Sequence, residues 1–356
     1  MAFGALVTFV EVASRYYSCT AYLFQLTSPV NIDEHQAPRA GGLNALPEAH
    51  AFHHEALFYA DEDEYLARTV PFVAEGVDGG EAVLVAVAAD KQRLLKGALA
   101  SRAAGVRFAD MATMGRNPAR IIPVWRDFVG DEMAVGRQVR GIGEPIWPGR
   151  SDSELVECHL HESLLNLAFA GGPGWQLLCP YDSAALGPEV LDAARATHPV
   201  VSEGGAAAPS AAYAPDARAY GPLDGPLAEP LAPTQEMRFD VNRLQALRAL
   251  VREEAGGAGM DPTRMCDLTL AVGELASNSI RHAGGSGLAR MWSDSGAFYV
   301  EVSDAGRIFD PLVGRATPTA TQTGGRGVWL VNQVCDLVQI RSRPEGTVVR
   351  VTMSLR

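Results

Sequence analysis

The strongest constraint on the fold of this chain is a compositional break between residues 201 and 235. Ten Ala, six Pro and four Gly occupy these 35 positions, and branched aliphatic residues are few. Because such a composition cannot bury a core, we expect a linker that its prolines keep partly extended. The 356 residues therefore predict two globular domains of ordinary size, one on each side of the linker.

The formal charge of -12 limits the partners that the surface can attract. An acidic surface repels nucleic acid and anionic membranes, so we expect neither as a direct partner and favour small molecules or proteins. The first 30 residues are mildly apolar, but they lack a basic start and are interrupted by Glu11 and Arg15. This pattern argues against a signal peptide or a membrane span. We expect a cytoplasmic protein in which residues 1–46 form a disordered extension.

The cysteine and histidine spacing predicts no zinc site. The five cysteines are scattered, and no two have C-x-x-C spacing. Buried thiols in a reducing compartment are the expectation. His159 and His161 are two residues apart on a predicted helix, so their side chains point away from each other.

Residues 47–200 alternate short apolar runs with helical patterns. The run from Ala82 to Val87 is continuously apolar, as in a strand covered on both faces, and a helix follows and ends at Gly105. Further short strands and helices alternate as far as residue 197. This order predicts an α/β domain with a mostly parallel sheet.

Residues 236–356 show a different order. A strand over 236–241 precedes two helices, over 242–255 and 262–282. Two hairpins, over 288–302 and 337–353, are separated by a short helix. We expect helices on one face of a mixed sheet, which is an α+β two-layer sandwich.

Glu274 and Asn278 lie four residues apart on the second of these helices. At about 100° per residue, their side chains project within roughly 40° of each other. Leu268, Val272 and Leu275 fall on the other side, where they can be buried. A carboxylate and a carboxamide on one helical face are common on solvated surfaces, so this pair alone is ambiguous.

Two later motifs remove the ambiguity. Asp304 ends a strong strand, and its carboxylate is suited to accept a hydrogen bond from the amino group of adenine. Gly306, two positions later, lets the adenine ring approach the backbone. Gly324-Gly325-Arg326-Gly327 opens a helix, where free N–H groups and the helix dipole suit phosphates. The three features in this order predict a nucleotide-binding domain.

The motifs E-L-A-S-N-S-I-R-H-A, D-A-G and G-G-R-G-V-W-L-V together resemble the ATP-binding fold of the GHKL family, which includes gyrase, heat-shock chaperones and histidine kinases. The resemblance implies that ATP binds with Mg²⁺ on Asn278, with Glu274 as general base and Asp304 on adenine. It also implies supporting roles for a further set of residues: Gly306 in the base pocket, Gly325 and Gly327 on the phosphates, and Thr347 behind the adenine site. Since this domain has no lysine, Arg326, or alternatively Arg281, would supply a cation. Residues 311–323 would form a mobile lid.

The short form of the domain is most similar to the anti-sigma-factor serine kinases. That resemblance implies a protein that binds a sigma factor and phosphorylates a serine of a STAS-type antagonist, with Glu274 accepting the hydroxyl proton. Two alternatives stay open. A sensor histidine kinase would autophosphorylate His161, although a strand, a helix and a linker intervene where a two-helix hairpin is needed. A non-catalytic module would hold the sigma factor with nucleotide bound and transfer nothing.

The first domain resembles the MEDS sensory domain through F-H-H-E-A-L-F-Y, G-E-A-V-L-V and G-I-G-E-P-I-W, which begin at Phe52, Gly80 and Gly141. This implies a RecA-like fold that senses a small-molecule or protein signal. No G-x-x-x-x-G-K-S or G-x-x-x-x-G-K-T loop is present, so we expect no second phosphate site. The residues that could line a sensory pocket are His54, Glu144, Trp147, His159 and His161.

The predicted organisation is an extension over 1–46, a sensory domain over 47–200, a linker over 201–235 and an ATPase domain over 236–356. Homodimerisation stays open.

Overall fold

The computed structural model describes residues 52–214, 225–230, 232, 234–319 and 325–355. The predicted extension, Gly324 and residues 320–323 of the predicted lid lie outside these ranges. None of the described helices is long and apolar enough to cross a bilayer.

The first domain is built on a seven-stranded sheet with the order β3-β2-β4-β5-β1-β6-β7. Its elements are β1 His53–Tyr59, α1 Glu62–Asp78, β2 Ala82–Val87, α2 Ala89–Leu99, β3 Val106–Asp110, α3 Met111–Met114, α4 Ile121–Ala134, β4 Val139–Gly143, α5 Asp152–Ala168, β5 Gln176–Asp182, α6 Pro188–Thr197, β6 Val200–Glu203 and β7 Ala206–Pro209.

Every strand pair in this sheet is parallel except β6 with β7. All six residues of β2 are buried, because helices cover both faces of the sheet. Ala56 and Phe58 of β1 belong to the core on one face, and Leu57 and Tyr59 to the core on the other. The prediction of a mostly parallel α/β domain is confirmed.

The sheet extends into the segment that we interpreted as linker. Residues 201–209 form most of β6 and all of β7, joined by Gly204 and Gly205 with φ of 58° and 88°. The expectation of linker over these residues was wrong, because an edge strand needs only backbone pairing. Every residue of β7 is exposed, and its small side chains bury no core.

The second domain contains a five-stranded sheet with the order β11-β12-β10-β9-β8. Its elements are β8 Gln235–Asp240, α7 Leu244–Gly257, α8 Pro262–His282, β9 Ser286–Ser293, β10 Ala297–Asp304, α9 Arg326–Val334, β11 Leu337–Arg343 and β12 Gly346–Ser354. Helix α8 packs on the face of β10 that carries Phe298, Val300 and Val302. The α+β two-layer architecture is confirmed.

The expected mixed sheet is corrected to an antiparallel one. All four ladders between the described strands are antiparallel. The physical reason is the pair of helices between β8 and β9: the two helices lead the chain away and back to the end of β8, where Ser286 lies opposite Asp240, so β9 runs back along β8.

The two domains contact each other directly. Arg341 Nη1 on β11 donates to Glu157 Oε1 on α5 at 3.0 Å, and these side chains are only 6% and 2% exposed. Asn117 Nδ2 donates to the carbonyl of Asn332 on α9 at 3.0 Å. Thr317, in the predicted lid, donates to Asp127 Oδ2 on α4 at 2.9 Å. Changes in α4 and α5 can therefore reach the second domain without passing along the linker.

Loss of the Arg341 guanidinium should destabilise the protein, because it leaves the carboxylate of Glu157 buried without this partner. Burial raises the pKa of Glu157, and Arg341 and Arg315 oppose that rise. We expect Arg341→Leu to lower the free energy of unfolding by about 3 kcal/mol, measured by urea unfolding. The matched control is Arg102→Leu, because Arg102 pairs with Asp78 in solvent, with side chains 51% and 55% exposed. Equal stability losses in the two variants would contradict the prediction.

Candidate nucleotide-binding site

The glycine loop lies against the helical pair on α8. A Cβ built at Gly327 would lie 3.0 Å from Glu274 Oε2 and 3.2 Å from Asn278 Nδ2. The loop backbone thus approaches the carboxylate and the carboxamide as closely as glycine allows. Residues that are about fifty positions apart in the sequence are therefore brought to one place.

The loop also presents the N-terminus of α9. Gly325 caps this helix with φ of 78°, a left-handed conformation that favours glycine, and α9 begins at Arg326. The first N–H groups of a helix have no partner within the helix, so this end can bind an anion. Arg326 itself donates from Nη2 to the carbonyl of Thr319 at 3.1 Å, which directs part of its guanidinium toward the predicted lid.

Asp304 is held between the end of β10 and α8. Its Oδ2 accepts from Ser279 Oγ at 2.6 Å, and its Oδ1 accepts from the Gly306 amide at 2.8 Å. Both bonds fix the carboxylate at the strand end where the resemblance places adenine. Ser279 was not among the predicted site residues, although it directly follows Asn278.

Thr347 lies beside Gly306. Its hydroxyl donates to the carbonyl of Gly306 at 2.9 Å, and it is paired with Asp304 across the β10–β12 ladder. Ser342 Oγ lies 2.8 Å from Thr347 Oγ1 and accepts from the amide of Ile308 at 2.8 Å. Ser342 therefore connects Thr347 to the segment after Gly306, and no sequence motif identified it.

The charge environment of Glu274 includes an arginine that the sequence did not reveal. Burial raises the pKa of Glu274, and Arg281 and Arg248 partly oppose the rise. Arg248, on α7, lies across Gly273, where an added Cβ would be 2.9 Å from its Nε. That Nε has no hydrogen-bond partner among the described residues. In the sequence, only the glycine at position 273 indicated that another side chain could approach α8 beside Glu274.

Glu144 of the predicted sensory pocket lies apart from His54. His54 and Tyr59 are five residues apart on β1, about 16 Å along the strand, and their side chains lie on opposite faces. Glu144 accepts from Tyr59 and Lys91 near that far end. Trp147 stacks beneath the guanidinium of Arg150, and α5 carries His159 and His161.

Glu144 is the most perturbed carboxyl group at the carboxyl edge of the parallel sheet. Burial raises its pKa to about 7, against the opposing effects of Lys91 and Tyr59. His54 belongs instead to a separate buried cluster on the other face, which includes Glu162. The interpretation of one pocket is therefore wrong for Glu144, whereas His159 and His161 lie within electrostatic reach of Glu162, which contacts His54.

Comparison with known proteins identifies both domains. Residues 53–199 match the model of the MEDS family, the methanogen/methylotroph DcmR sensory domain. Residues 237–353 match the model of the histidine kinase-like ATPase domain. The chain joins a MEDS sensory domain to a histidine kinase-like ATPase domain. The second match implies an ATP site in the domain that contains Glu274, Asn278 and Asp304.

Solved structures with similarity to the chain include the RsbU and RsbW domains of Rv1364c from Mycobacterium tuberculosis, at 18% identity and a TM-score of 0.27. That match covers 35% of this chain and 33% of that chain, so this chain spans about a third of its length. They also include the Acinetobacter baumannii histidine kinase AdeS, at 14% identity, a TM-score of 0.21 and coverage of 34% and 68%. A comparison with curated proteins found no match.

Gly327 should tolerate no side chain. We expect Gly327→Ala to weaken ATP binding at least tenfold, because the methyl group would press on Glu274 and Asn278 and displace the loop. Fluorescence titration with a labelled ATP analogue measures this affinity. Gly97→Ala is the control, since a Cβ at Gly97 meets nothing within 4 Å. Wild-type affinity in the Gly327 variant would place the phosphates elsewhere.

Proposed function

We propose that this chain is an ATP-dependent anti-sigma regulatory factor, which binds a sigma factor and phosphorylates a serine of a STAS-type antagonist. The observation that carries the proposal is the close approach of Gly327 to Glu274 and Asn278, which leaves no room for a side chain between them. Phosphates bound at the start of α9 would lie beside a carboxylate whose pKa is raised by burial. A general base next to the transferred phosphoryl group is what serine phosphorylation requires.

In the proposed mechanism, Glu274 accepts the proton of the substrate hydroxyl as its oxygen attacks the γ-phosphorus. The bond from that phosphorus to the β–γ bridging oxygen breaks, and ADP is the leaving group. Asn278 supplies a carboxamide oxygen on the same helical face, the hard ligand that Mg²⁺ prefers. When bound, Mg²⁺ would neutralise charge on the phosphates. Because this domain has no lysine, arginines must supply the positive charge beside the phosphates. The candidates are Arg326 at the start of α9, and Arg281 and Arg248, which interact electrostatically with Glu274.

The serine kinase is favoured over a histidine kinase by the position of His161. This residue is 1% exposed, and α5 packs against α4 and α6 and shares a hydrophobic core with the sheet of the first domain. A phosphoryl donor would need to open that core to reach the imidazole. A histidine kinase also needs its histidine to be accessible and to lie on a two-helix hairpin. His161 on α5 is buried, and α5 does not form such a hairpin.

Control by the MEDS domain is supported by the contacts between the domains. Arg341, paired with Glu157, directly precedes Ser342, which supports Thr347 and the segment after Gly306. Thr317 of the predicted lid is bound to Asp127. A ligand that moves α4 or α5 would therefore alter both the adenine side and the lid side of the site. A sigma factor as partner places the protein in the cytoplasm.

The decisive experiment incubates the full chain with Mg²⁺ and γ-labelled ATP, together with STAS-type proteins from its own genome. We expect acid-stable label on a partner serine. Glu274→Gln should keep ATP affinity and lose transfer by about 10²-fold or more, because it removes the base. Glu253→Gln, an exposed glutamate on α7, is the matched control. Acid-labile label on the chain itself would support the histidine kinase, and sigma binding without transfer would support the non-catalytic module.

The pH profile of transfer should report the perturbed Glu274. A base must be deprotonated, so we expect the transfer rate to fall as the pH is lowered through the raised pKa of this group. The loss should begin at a higher pH than for an ordinary glutamate. Single-turnover transfer at saturating ATP separates this effect from nucleotide binding. A rate that stays constant down to the pKa of an unperturbed glutamate would exclude Glu274 as the base.

A further inference from the structure

Four side chains with metal-binding atoms meet in the interior of the MEDS domain. They come from separate elements: His54 from β1, Glu162 from α5, Cys179 from β5 and His198 from the end of α6. None is more than 1% exposed. We propose that these residues bind one divalent transition-metal ion of the zinc class.

All the ligand atoms of the four groups lie within 4.8 Å of one another, and four of their six separations are close to the edges of a tetrahedral site. His54 Nε2 lies 3.1 Å from Glu162 Oε2, and His198 Nε2 lies 3.4 Å from the same oxygen. Cys179 Sγ lies 3.5 Å from His54 Nε2 and 3.8 Å from Glu162 Oε2. Zinc bond lengths of about 2.0 Å to nitrogen or oxygen and about 2.3 Å to sulfur give tetrahedral edges of roughly 3.3 Å and 3.5 Å. A central ion therefore needs little rearrangement.

Hydrogen bonds on the far side of each imidazole turn its Nε2 lone pair toward the centre. His198 Nδ1 lies 2.8 Å from the carbonyl oxygen of Ala194, which can only accept, so Nδ1 carries the proton. Asn166 Nδ2 donates to the carbonyl of Thr197 at 2.8 Å, which turns its Oδ1 toward His54 Nδ1 at 3.0 Å. Metal-binding histidines make such outward bonds to carbonyl oxygens.

Without a cation, this arrangement directs the Nε2 acceptors of both imidazoles at the carboxylate oxygens of Glu162, which are acceptors too. Two neutral imidazoles with protonated Nδ1 direct lone pairs at the carboxylate of Glu162. Protonating both would bury two positive charges against one negative charge, at a large desolvation cost. His198 Nε2 and Glu162 Oε1 have no hydrogen-bond partner among the described residues. One divalent ion satisfies the lone pairs and balances the charge.

The donor set selects the class of ion. Two imidazoles, a thiolate and a carboxylate suit zinc and similar borderline ions, whereas Mg²⁺ and Ca²⁺ prefer oxygen alone. With four protein ligands and full burial, the site keeps no open position for a substrate. It is therefore structural or sensory, and α5 joins it to Glu157, five residues before Glu162, at the contact with the ATPase domain.

The test loads chelator-treated full-length protein with Co²⁺ alone and records its absorption spectrum. We expect one ion per chain, with the thiolate charge-transfer band and the intense visible bands of tetrahedral cobalt. Cys179→Ala should abolish the charge-transfer band and His198→Ala the binding. Cys158→Ala is the matched control, because Cys158 is also fully buried in this domain and lies outside the cluster.

Asn166→Ala tests the outward hydrogen bond separately. It should weaken Zn²⁺ affinity about 10–100-fold in competition with a chelating dye while the ligands stay in place. The proposal is overturned if wild-type protein shows no thiolate-to-cobalt band, an outcome that does not depend on whether any variant folds. It is also overturned if folded Cys179→Ala retains the band.

Discussion

The structure of the ATPase domain depends on the packing of helix α8, which buries one face against the sheet and presents the site residues on the other. Leu268, Val272 and Leu275 are fully or almost fully buried against the sheet, which fixes the rotation of the helix. With that rotation set, Glu274 and Asn278 face the loop before α9. Ser279 then reaches Asp304 at the end of β10. Hydrophobic packing on one side thus positions the polar groups on the other.

The sequence was most informative where function depends on local spacing. The four-residue interval of Glu274 and Asn278, the strand-end Asp304 and the glycine in the first turn of α9 are all short-range signals, and the structure brings them together. The continuous apolar run of β2 likewise identified a strand covered on both faces. Such patterns are readable because helical and strand periodicity determine which neighbours share a face.

Features that depend on tertiary approach left few local signals. Arg248 reaches Gly273 from another helix, and Ser342 contacts Thr347 across a hairpin. The edge strand β7 was missed because backbone pairing, which does not need apolar side chains, holds it in the sheet. The cluster around Glu162 draws on positions from 54 to 198, so a search for close cysteine and histidine spacing could not find it.

The complete burial of that cluster has a kinetic consequence. An ion could enter or leave only when α5 or the end of α6 separates from the sheet, so exchange would follow local opening of the domain and not diffusion through solvent. A site of this kind responds slowly to the surrounding metal concentration. Its occupancy would reflect the metal concentration averaged over the lifetime of the closed domain, and brief changes in that concentration would not alter it.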